Sequence, residues 1–594
     1  MGRYERALPL YQRALRILLT HNQSPLELAM VEGNMASLNG KLRQPEQAIY
    51  FGKQSVNGFQ SLRAGMTRLD KELQQGFLKQ HEGSYTQLAG WLIDAGRLAE
   101  AQQVTAMLKE QELFELVRGG AETDPRSSRA GLTGFEARQQ QQQRDVVEPL
   151  AAVTRGLNEL EKKARTEPLN AEERRRRDAF EQQLAAGQAA FERYLSGLQT
   201  AFAQITDEQR RDIERLNITQ ARALQDTLET LGHGAVLLHY VVLDDQLKII
   251  LTTGSLQRGY SVPVDRKTLN HAIQKLREGI EDRSDVRAQA RQLHDWLIAP
   301  VETDLRAAGA KTLMVALTDA LRYLPFAALH DGDQWLAQRY AVALYTEAAR
   351  QNMLRARVDR WQMQAFGLTR PVDGFQQLSA VRGELDAIVG ARGLPGRARF
   401  DEEFTAQSFR DAIQERPPVL HIASHFVFRP GSESDSFLVM GDGSRMSLTD
   451  IKSLRFRQVD LLTLSACNTA LGGGRNENGR EIEGFGALAQ AQGAGAVLAT
   501  LWPVADRSTA PFMQRFYMAR QAGRGMSKIE ALQQAQLALI EGSGAADQAQ
   551  NDKTAGSSRP SSRASSANAA TVDPAHPYSH PYYWAAFVLM GNWL

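Results

Sequence analysis

The sequence predicts a multidomain protein: an all-α N-terminal region of helical repeats and a long helical hairpin, followed by an α/β region built on a mostly parallel sheet. Three observations predict it. Helix-forming segments with recurring turn motifs fill residues 1–231, β-rich runs begin abruptly at 232, and after 359 apolar strands alternate with helical segments. At 594 residues the chain is also longer than a single core supports.

The bulk composition excludes several classes. Seventy basic residues almost cancel sixty-eight acidic ones, leaving +2, so neither a nucleic acid nor an anionic membrane is an expected partner. The four arginines at 174–177 are flanked by Glu172, Glu173 and Asp178 and read as a solvated helix face. No run approaches the ~20 apolar residues of a membrane span, and Met1-Gly2-Arg3-Tyr4-Glu5-Arg6 lacks the apolar core of a secretory leader. A single cysteine excludes an internal disulfide. Together these predict a cytoplasmic protein.

Residues 1–115 repeat a theme. Gly2-Arg3-Tyr4-Glu5-Arg6-Ala7, Asn39-Gly40-Lys41-Leu42 ahead of Ala48, and Ala95-Gly96-Arg97-Leu98 ahead of Ala101 each place a small residue at a turn before an alanine. This looks like degenerate tetratricopeptide helix pairs, with unrelated helical hairpins as the alternative. Gly2 falls where the turn inside a repeat belongs, so the first helix of that unit is missing. The natural protein is therefore expected to start upstream, which weakens the missing leader as an argument.

Residues 116–231 carry apolar stripes at helical spacing: Leu150, Val153, Leu157 and Leu160, then Phe180, Leu184, Phe191, Leu195, Leu198, Phe202 and Ile205. Pro168 separates them, and Asn170 with Glu173 reads as a capping box. The expectation is a long helical hairpin packing on itself or its neighbours.

At 232 the pattern changes. Val236–Val242 and Leu247–Leu251 are split by Asp244-Asp245, as in a hairpin; helices follow near 267–280 and 285–307, then a strand at 312–317. Within 359–594, strands are expected at 363–368, 418–424, 459–465, 495–502 and 584–590, and helices at 376–391, 403–415, 482–493, 508–521 and 527–541. Residues 542–580 are dense in Ser, Ala, Gly and Asp and are expected to form a disordered insertion.

Two strand ends carry chemistry. Val419-Leu420-His421-Ile422-Ala423-Ser424-His425 is an apolar strand ending in histidine, and Val459-Asp460-Leu461-Leu462-Thr463-Leu464-Ser465-Ala466-Cys467 ends in the only cysteine. Ligands of open parallel sheets bind beyond the carboxyl ends of the strands. If the two strands are neighbours, His425 and Cys467 meet at one edge. A thiol with a pKa of ~8.5 is mostly protonated at neutral pH, and an adjacent histidine can take its proton and later pass it to a leaving amine. The amide of Cys467 is a candidate oxyanion donor, and Gly472-Gly473-Gly474 is a loop able to approach a peptide. His421 reads as a buried structural histidine. A metal site is not expected, because His421 and His425 lie on a strand with no further ligands nearby. No cofactor is expected.

His421-Ile422-Ala423-Ser424-His425, Leu464-Ser465-Ala466-Cys467-Asn468-Thr469-Ala470 and Ala499-Thr500-Leu501-Trp502-Pro503-Val504 resemble the signature blocks of the CHAT family, in the caspase, separase and gingipain clan. Glu483-Gly484-Phe485, Ala491-Gln492-Gly493-Ala494-Gly495-Ala496, Phe512-Met513-Gln514-Arg515-Phe516-Tyr517 and Tyr582-Tyr583-Trp584-Ala585-Ala586-Phe587 extend the match. Leu324-Pro325-Phe326-Ala327-Ala328-Leu329 resembles the block of the catalytically silent half that precedes the catalytic one. The resemblance implies a silent half at 232–358, a caspase-like catalytic half at 359–594, His425 as catalytic histidine and Cys467 as nucleophile. It implies a cysteine endopeptidase acting on a protein substrate and regulated by a protein partner through the helical repeats.

Relatives in the clan hold a basic substrate side chain with an acid. Asp506 is the candidate here, with a helix N-cap as its alternative role; Asp435, Asp442 and Glu483 are further acids at that edge. The sequence departs from the family at Phe426, where glycine usually follows the catalytic histidine. That departure leaves a second reading open, a pseudoenzyme scaffold. A redox sensor at the lone cysteine lacks a resolving partner.

Overall fold

The computed structural model describes residues 2–21, 24–65, 71–117, 129–372, 374–427, 436–465, 480–504, 508–523, 525–542 and 576–594. The chain forms two compact units, one from 1–111 and 122–223, the other from 112–121 and 224–594. No helix among the described residues is long and apolar enough to cross a membrane.

The first unit is all helical: α1 (Gly2–His21), α2 (Pro25–Lys41), α3 (Pro45–Gly65), α4 (Lys71–Asp94), α5 (Leu98–Val117), α6 (Gly134–Ala164), α7 (Ala171–Ala203) and most of α8 (Asp207–Leu231). The turn motifs sit between helices as expected at 42–44 and 95–97, but Gly2 opens α1 rather than forming a turn. Gly40 is required by close approach, since a Cβ there would lie 2.9 Å from Trp91 Nε1. Gly96 ends α4 at φ +71°, the left-handed conformation that glycine adopts without strain.

The expected hairpin is α6 and α7, to which α8 adds a further helix. Asn170 and Glu173 form the capping box that opens α7. The stripe on α7 divides its contacts. Phe180 reaches Gly156 of α6, while Phe191, Leu195, Leu198 and Phe202 join Leu15, Met35, Tyr50 and Phe51 in one core.

This unit also buries charge that periodicity did not suggest. Lys53 pairs with Glu100 and, at 2.8 Å, with Glu136; Arg97 pairs with both carboxylates at 2.8 Å. Burial alone would raise the Glu100 and Glu136 carboxyls, yet the two cations outweigh it and hold both below the ordinary range. Such a cluster tolerates burial because every charge faces its opposite.

The second unit is built on an eleven-stranded sheet. Its strands begin with β1 (Ala235–Val242), β2 (Leu247–Thr252), β3 (Gln257–Val262), β4 (Thr312–Ala316) and β5 (Ala341–Leu344). They continue with β6 (Met363–Gly367), β7 (Gly396–Phe400) and β8 (Val419–Ala423). A separate three-stranded antiparallel sheet holds β9 (Phe426–Val427), β10 (Phe437–Val439) and β11 (Arg445–Ser447). The large sheet is completed by β12 (Leu461–Ser465), β13 (Ala496–Thr500) and β14 (Phe587–Gly591).

The strand order is β3-β2-β1-β4-β5-β14-β13-β12-β8-β6-β7. β1 and β2 form the expected hairpin. Every pair from β1 to β14 through β4 and β5, and from β13 to β7, is parallel. β14 is the joint of the sheet: it runs parallel to β5 and antiparallel to β13. Every residue of β4, β8 and β12 is buried, as strands covered on both faces must be.

Helices α9 (Arg266–Glu281), α10 (Arg287–Leu297), α11 (Glu302–Ala307), α12 (Leu336–Arg339), α13 (Val381–Ile388) and α14 (Ala406–Gln414) intervene between strands. So do α15 (Leu448–Lys452), α16 (Arg480–Ala491), α17 (Thr509–Ala522) and α18 (Lys528–Ile540). The helix expected over 285–307 breaks into α10, a 3-10 turn at Ala299–Val301 and α11, because Pro300 cannot continue a helical ladder. The last strand begins three residues later than expected, after a short helical turn at Pro581–Trp584 capped by His580. Of the expected insertion, 543–575 lie outside the described residues. Residues 576–580 belong to the packed structure, with His580 Nε2 donating to the Ser284 carbonyl at 2.8 Å.

Candidate functional site

β8 and β12 are adjacent and parallel, with Leu461–Ser465 in register against Val419–Ala423. His425 follows Ala423 by two residues, just as Cys467 follows Ser465 by two along the chain. His425 is described; Cys467, the glycines at 472–474, Asp435 and Asp506 lie outside the described residues.

His425 is held on three sides. Its Nε2 lies 2.9 Å from the Gln376 carbonyl, so Nε2 carries the proton and donates. Its own carbonyl accepts from the Val439 amide at 2.9 Å. The Phe375 ring lies 5.0 Å away, tilted by 33°. The ring is buried, and its Nδ1 makes no hydrogen bond among the described residues. In the neutral tautomer fixed by Gln376, Nδ1 bears the lone pair. The result is an imidazole with its orienting acceptor in place and no partner for Nδ1 among the described residues.

The loop after β6 supplies this cradle. Val372 and Phe375 bridge across a tight turn in which Gly374 has φ +79°. Phe375, Val427, Phe437 and Val439 pack around Leu368. Neither Gln376 nor Phe375 was identifiable from sequence, since a backbone carbonyl has no residue-type signature and Phe375 reads as ordinary core.

Phe426 opens β9, opposite Leu438 on β10, and is fully buried. Its φ is not positive. The backbone after His425 therefore takes an extended form open to any residue, and glycine is not required there.

His421 is buried, as expected, and belongs to another network. Its Nδ1 meets the Tyr517 hydroxyl at 2.9 Å, which in turn meets Thr463 Oγ1 at 2.7 Å. Glu384 Oε1 lies 3.2 Å from His421 Nε2, within ion-pair range although not aligned for a hydrogen bond. This network clamps the register pair His421 and Thr463 from one face of the sheet. Of the other acids, Asp442 is exposed and accepts from Ser444. Glu483 falls on α16, within the helix expected at 482–493.

The carboxyl end of β13 completes this edge. The Leu501 amide donates to the Ala586 carbonyl at 2.9 Å, and Trp502 Nε1 donates to the Tyr582 carbonyl at 3.1 Å. α17 begins at Thr509 with Ser508 in the cap position; the alternative cap role of Asp506 lies outside the described residues.

Two solved structures of the Saccharomyces cerevisiae separase–securin complex, at 2.6 and 3.0 Å resolution, are similar to this chain at 10% identity, with TM-scores of 0.36 and 0.38. The similarity covers 96% of this chain and 54% and 50% of those, so the chain spans about half their length. No curated protein matches the sequence. The family model for the CHAT domain matches residues 287–592, just over half of the 594, and the chain belongs to the CHAT domain family.

Proposed function

We propose that this protein is a caspase-like cysteine endopeptidase whose His425 and Cys467 act as a dyad, and whose helical N-terminal unit binds a regulatory protein partner. The observation that carries the reading is His425 itself: buried, fixed in one tautomer by the Gln376 carbonyl, with no partner for Nδ1 among the described residues, just past a strand that pairs with the one leading to the only cysteine.

In this mechanism Nδ1 takes the Cys467 thiol proton. The thiolate adds to the scissile carbonyl, and the resulting imidazolium gives the same proton to the leaving amine as the C–N bond breaks. Water, deprotonated in turn by Nδ1, then hydrolyses the thioester and frees the thiol. Asp506, just past the Trp502-Pro503-Val504 segment, is proposed as the acid that holds a basic substrate side chain.

The competing reading is a pseudoenzyme scaffold, for which Phe426 was the favouring feature. The extended backbone at Phe426 removes the steric ground for that inference. The deciding experiment incubates the full chain, with and without proteins captured on its Cys467→Ala form, with a protein substrate pool and a thiol-reactive peptide probe. Cleavage and labelling by wild type, both lost in Cys467→Ala, are expected. Cleavage that survives Cys467→Ala sinks the dyad, and an accessible Cys467 that neither cleaves nor labels establishes the scaffold.

A further inference from the structure

Arg277 lies on α9, ten residues ahead of the region matched by the family model, yet its guanidinium reaches the carboxyl edge of the sheet. Its side chain is only 4% exposed. Nη2 donates to the Leu501 carbonyl at 3.3 Å and to Glu281 Oε1 at 2.9 Å. The guanidinium carbon stands 5.2 Å from the centre of the Tyr323 ring and 5.9 Å from that of Trp502. Nη1 is buried without a hydrogen-bond partner among the described residues.

The location matters because of register. Ala499 of β13 pairs with Leu464 of β12, so Leu501 stands two residues beyond that pair and Cys467 three. Beyond Ala499 the ladder to β12 ends, and the direction of 501–504 depends on what grips it. One grip comes from the C-terminal segment, through Ala586 and Tyr582. The other is Arg277. A buried charge is a costly way to fill space, since an apolar side chain of equal volume packs there without losing hydration. What the guanidinium adds is a planar, charge-assisted hold on one carbonyl and one ring.

We propose that Arg277 is a positioning residue for the candidate active site: through the Leu501 carbonyl and the Trp502 ring, it sets the path of residues 501–504 beyond β13, at the carboxyl edge where the substrate is proposed to bind. The proposal rests on the peptidase reading. It makes α9, which precedes the family-matched region, a contributor to substrate binding rather than a spectator.

The test compares full-length wild type with Arg277→Met, which keeps the packing volume, and Arg277→Lys, which keeps the charge. Two readouts are taken. In peptide cleavage, Arg277→Met is expected to raise KM about tenfold with little change in kcat, and Arg277→Lys to fall between, as loss of a charge-assisted contact that acts on binding predicts. In hydrogen exchange, the amides of Leu501, Trp502 and Val504 are expected to exchange about tenfold faster in Arg277→Met, while those of β1 and β2 keep wild-type rates. Unchanged KM in an active enzyme overturns the proposal, as does unchanged exchange at 501–504. Acceleration spread equally over β1 and β2 also overturns it, because that is the mark of a merely structural residue. If wild type cleaves nothing while the local exchange effect appears, the peptidase reading fails and the hold of Arg277 on the β13 end stands.

Discussion

Ala423 and Ser465 are register partners on the adjacent parallel strands β8 and β12, and each stands two residues before a proposed catalytic residue, His425 and Cys467. Neighbouring strands are ~4.8 Å apart, so this pairing starts both residues from the same level of the sheet. The chemistry therefore depends on a hydrogen-bond register formed deep in the core.

Because the chain has one cysteine, alkylation reports on Cys467 alone. His425→Ala is expected to slow alkylation at neutral pH about tenfold and to move its pH midpoint up toward the ~8.5 of an unassisted thiol. Mass-spectrometric alkylation rates between pH 5 and 10 check this. Identical profiles for both proteins mean that His425 does not serve the thiol.

Phe426→Gly would restore the residue usual in the family, but no gain in activity is expected from it. The side chain is buried, on a residue whose backbone pairs β9 with β10, so truncation to alanine should cost about 3–5 kcal/mol. Denaturant titration together with cleavage assays measures both effects. A Phe426→Gly protein of wild-type stability and higher activity contradicts the expectation.

Asp460 accepts from Trp361 Nε1 at 3.0 Å and from the Lys528 ammonium at 2.9 Å, all in the core. Burial pulls Lys528 down to about 8, against the pull of Asp460. Asp460→Asn strands that cation and is expected to cost about 3–5 kcal/mol. Adding Lys528→Met should recover part of the loss, a non-additivity read directly from a double-mutant cycle. Strict additivity would mean that the pair is uncoupled.

Glu32 on α2 gives the helical unit a pH dependence. Burial raises its carboxyl from 4.5 to about 8. The folded unit thus keeps a proton that the unfolded chain releases, so the stabilising contribution is full below about 4.5 and is lost as pH rises through about 8. The melting temperature of this unit should fall between pH 5 and 8, and Glu32→Gln should flatten that fall. The same slope in wild type and Glu32→Gln rules Glu32 out as the cause.

Much of the α/β unit was legible because its central strands are continuous apolar runs. β1, β2, β4, β6, β8, β12 and β13 all fall where expected. The strands that escaped notice are short or polar. β7 reads Gly-Arg-Ala-Arg-Phe and β3 reads Gln-Arg-Gly-Tyr-Ser-Val, and both are sheet edges with only one fully buried residue each. β14 was displaced by three residues because Trp584-Ala585-Ala586 continue the apolar run that follows, while the helical turn capped by His580 extends to Trp584.

In the helical unit the turns at 42–44 and 95–97 were visible, but no local pattern marks Arg97 and Glu100 as buried. Their burial depends on Lys53 and Glu136 arriving from other helices. Local sequence cannot announce a charge whose compensation lies dozens of residues away.

What the sequence by itself determined was the order of the elements, the two strands that carry His425 and Cys467, and the match of its motifs to the CHAT family. Periodicity and composition are local, and these are local properties. Only the tertiary structure decided that β8 lies beside β12 in a register that levels Ala423 with Ser465. It alone turned His425 by its bond to the Gln376 carbonyl, and brought Arg277 to Leu501 across 224 residues of chain. Backbone carbonyls carry no sequence signature, and contacts between distant segments exist only once the sheet has assembled.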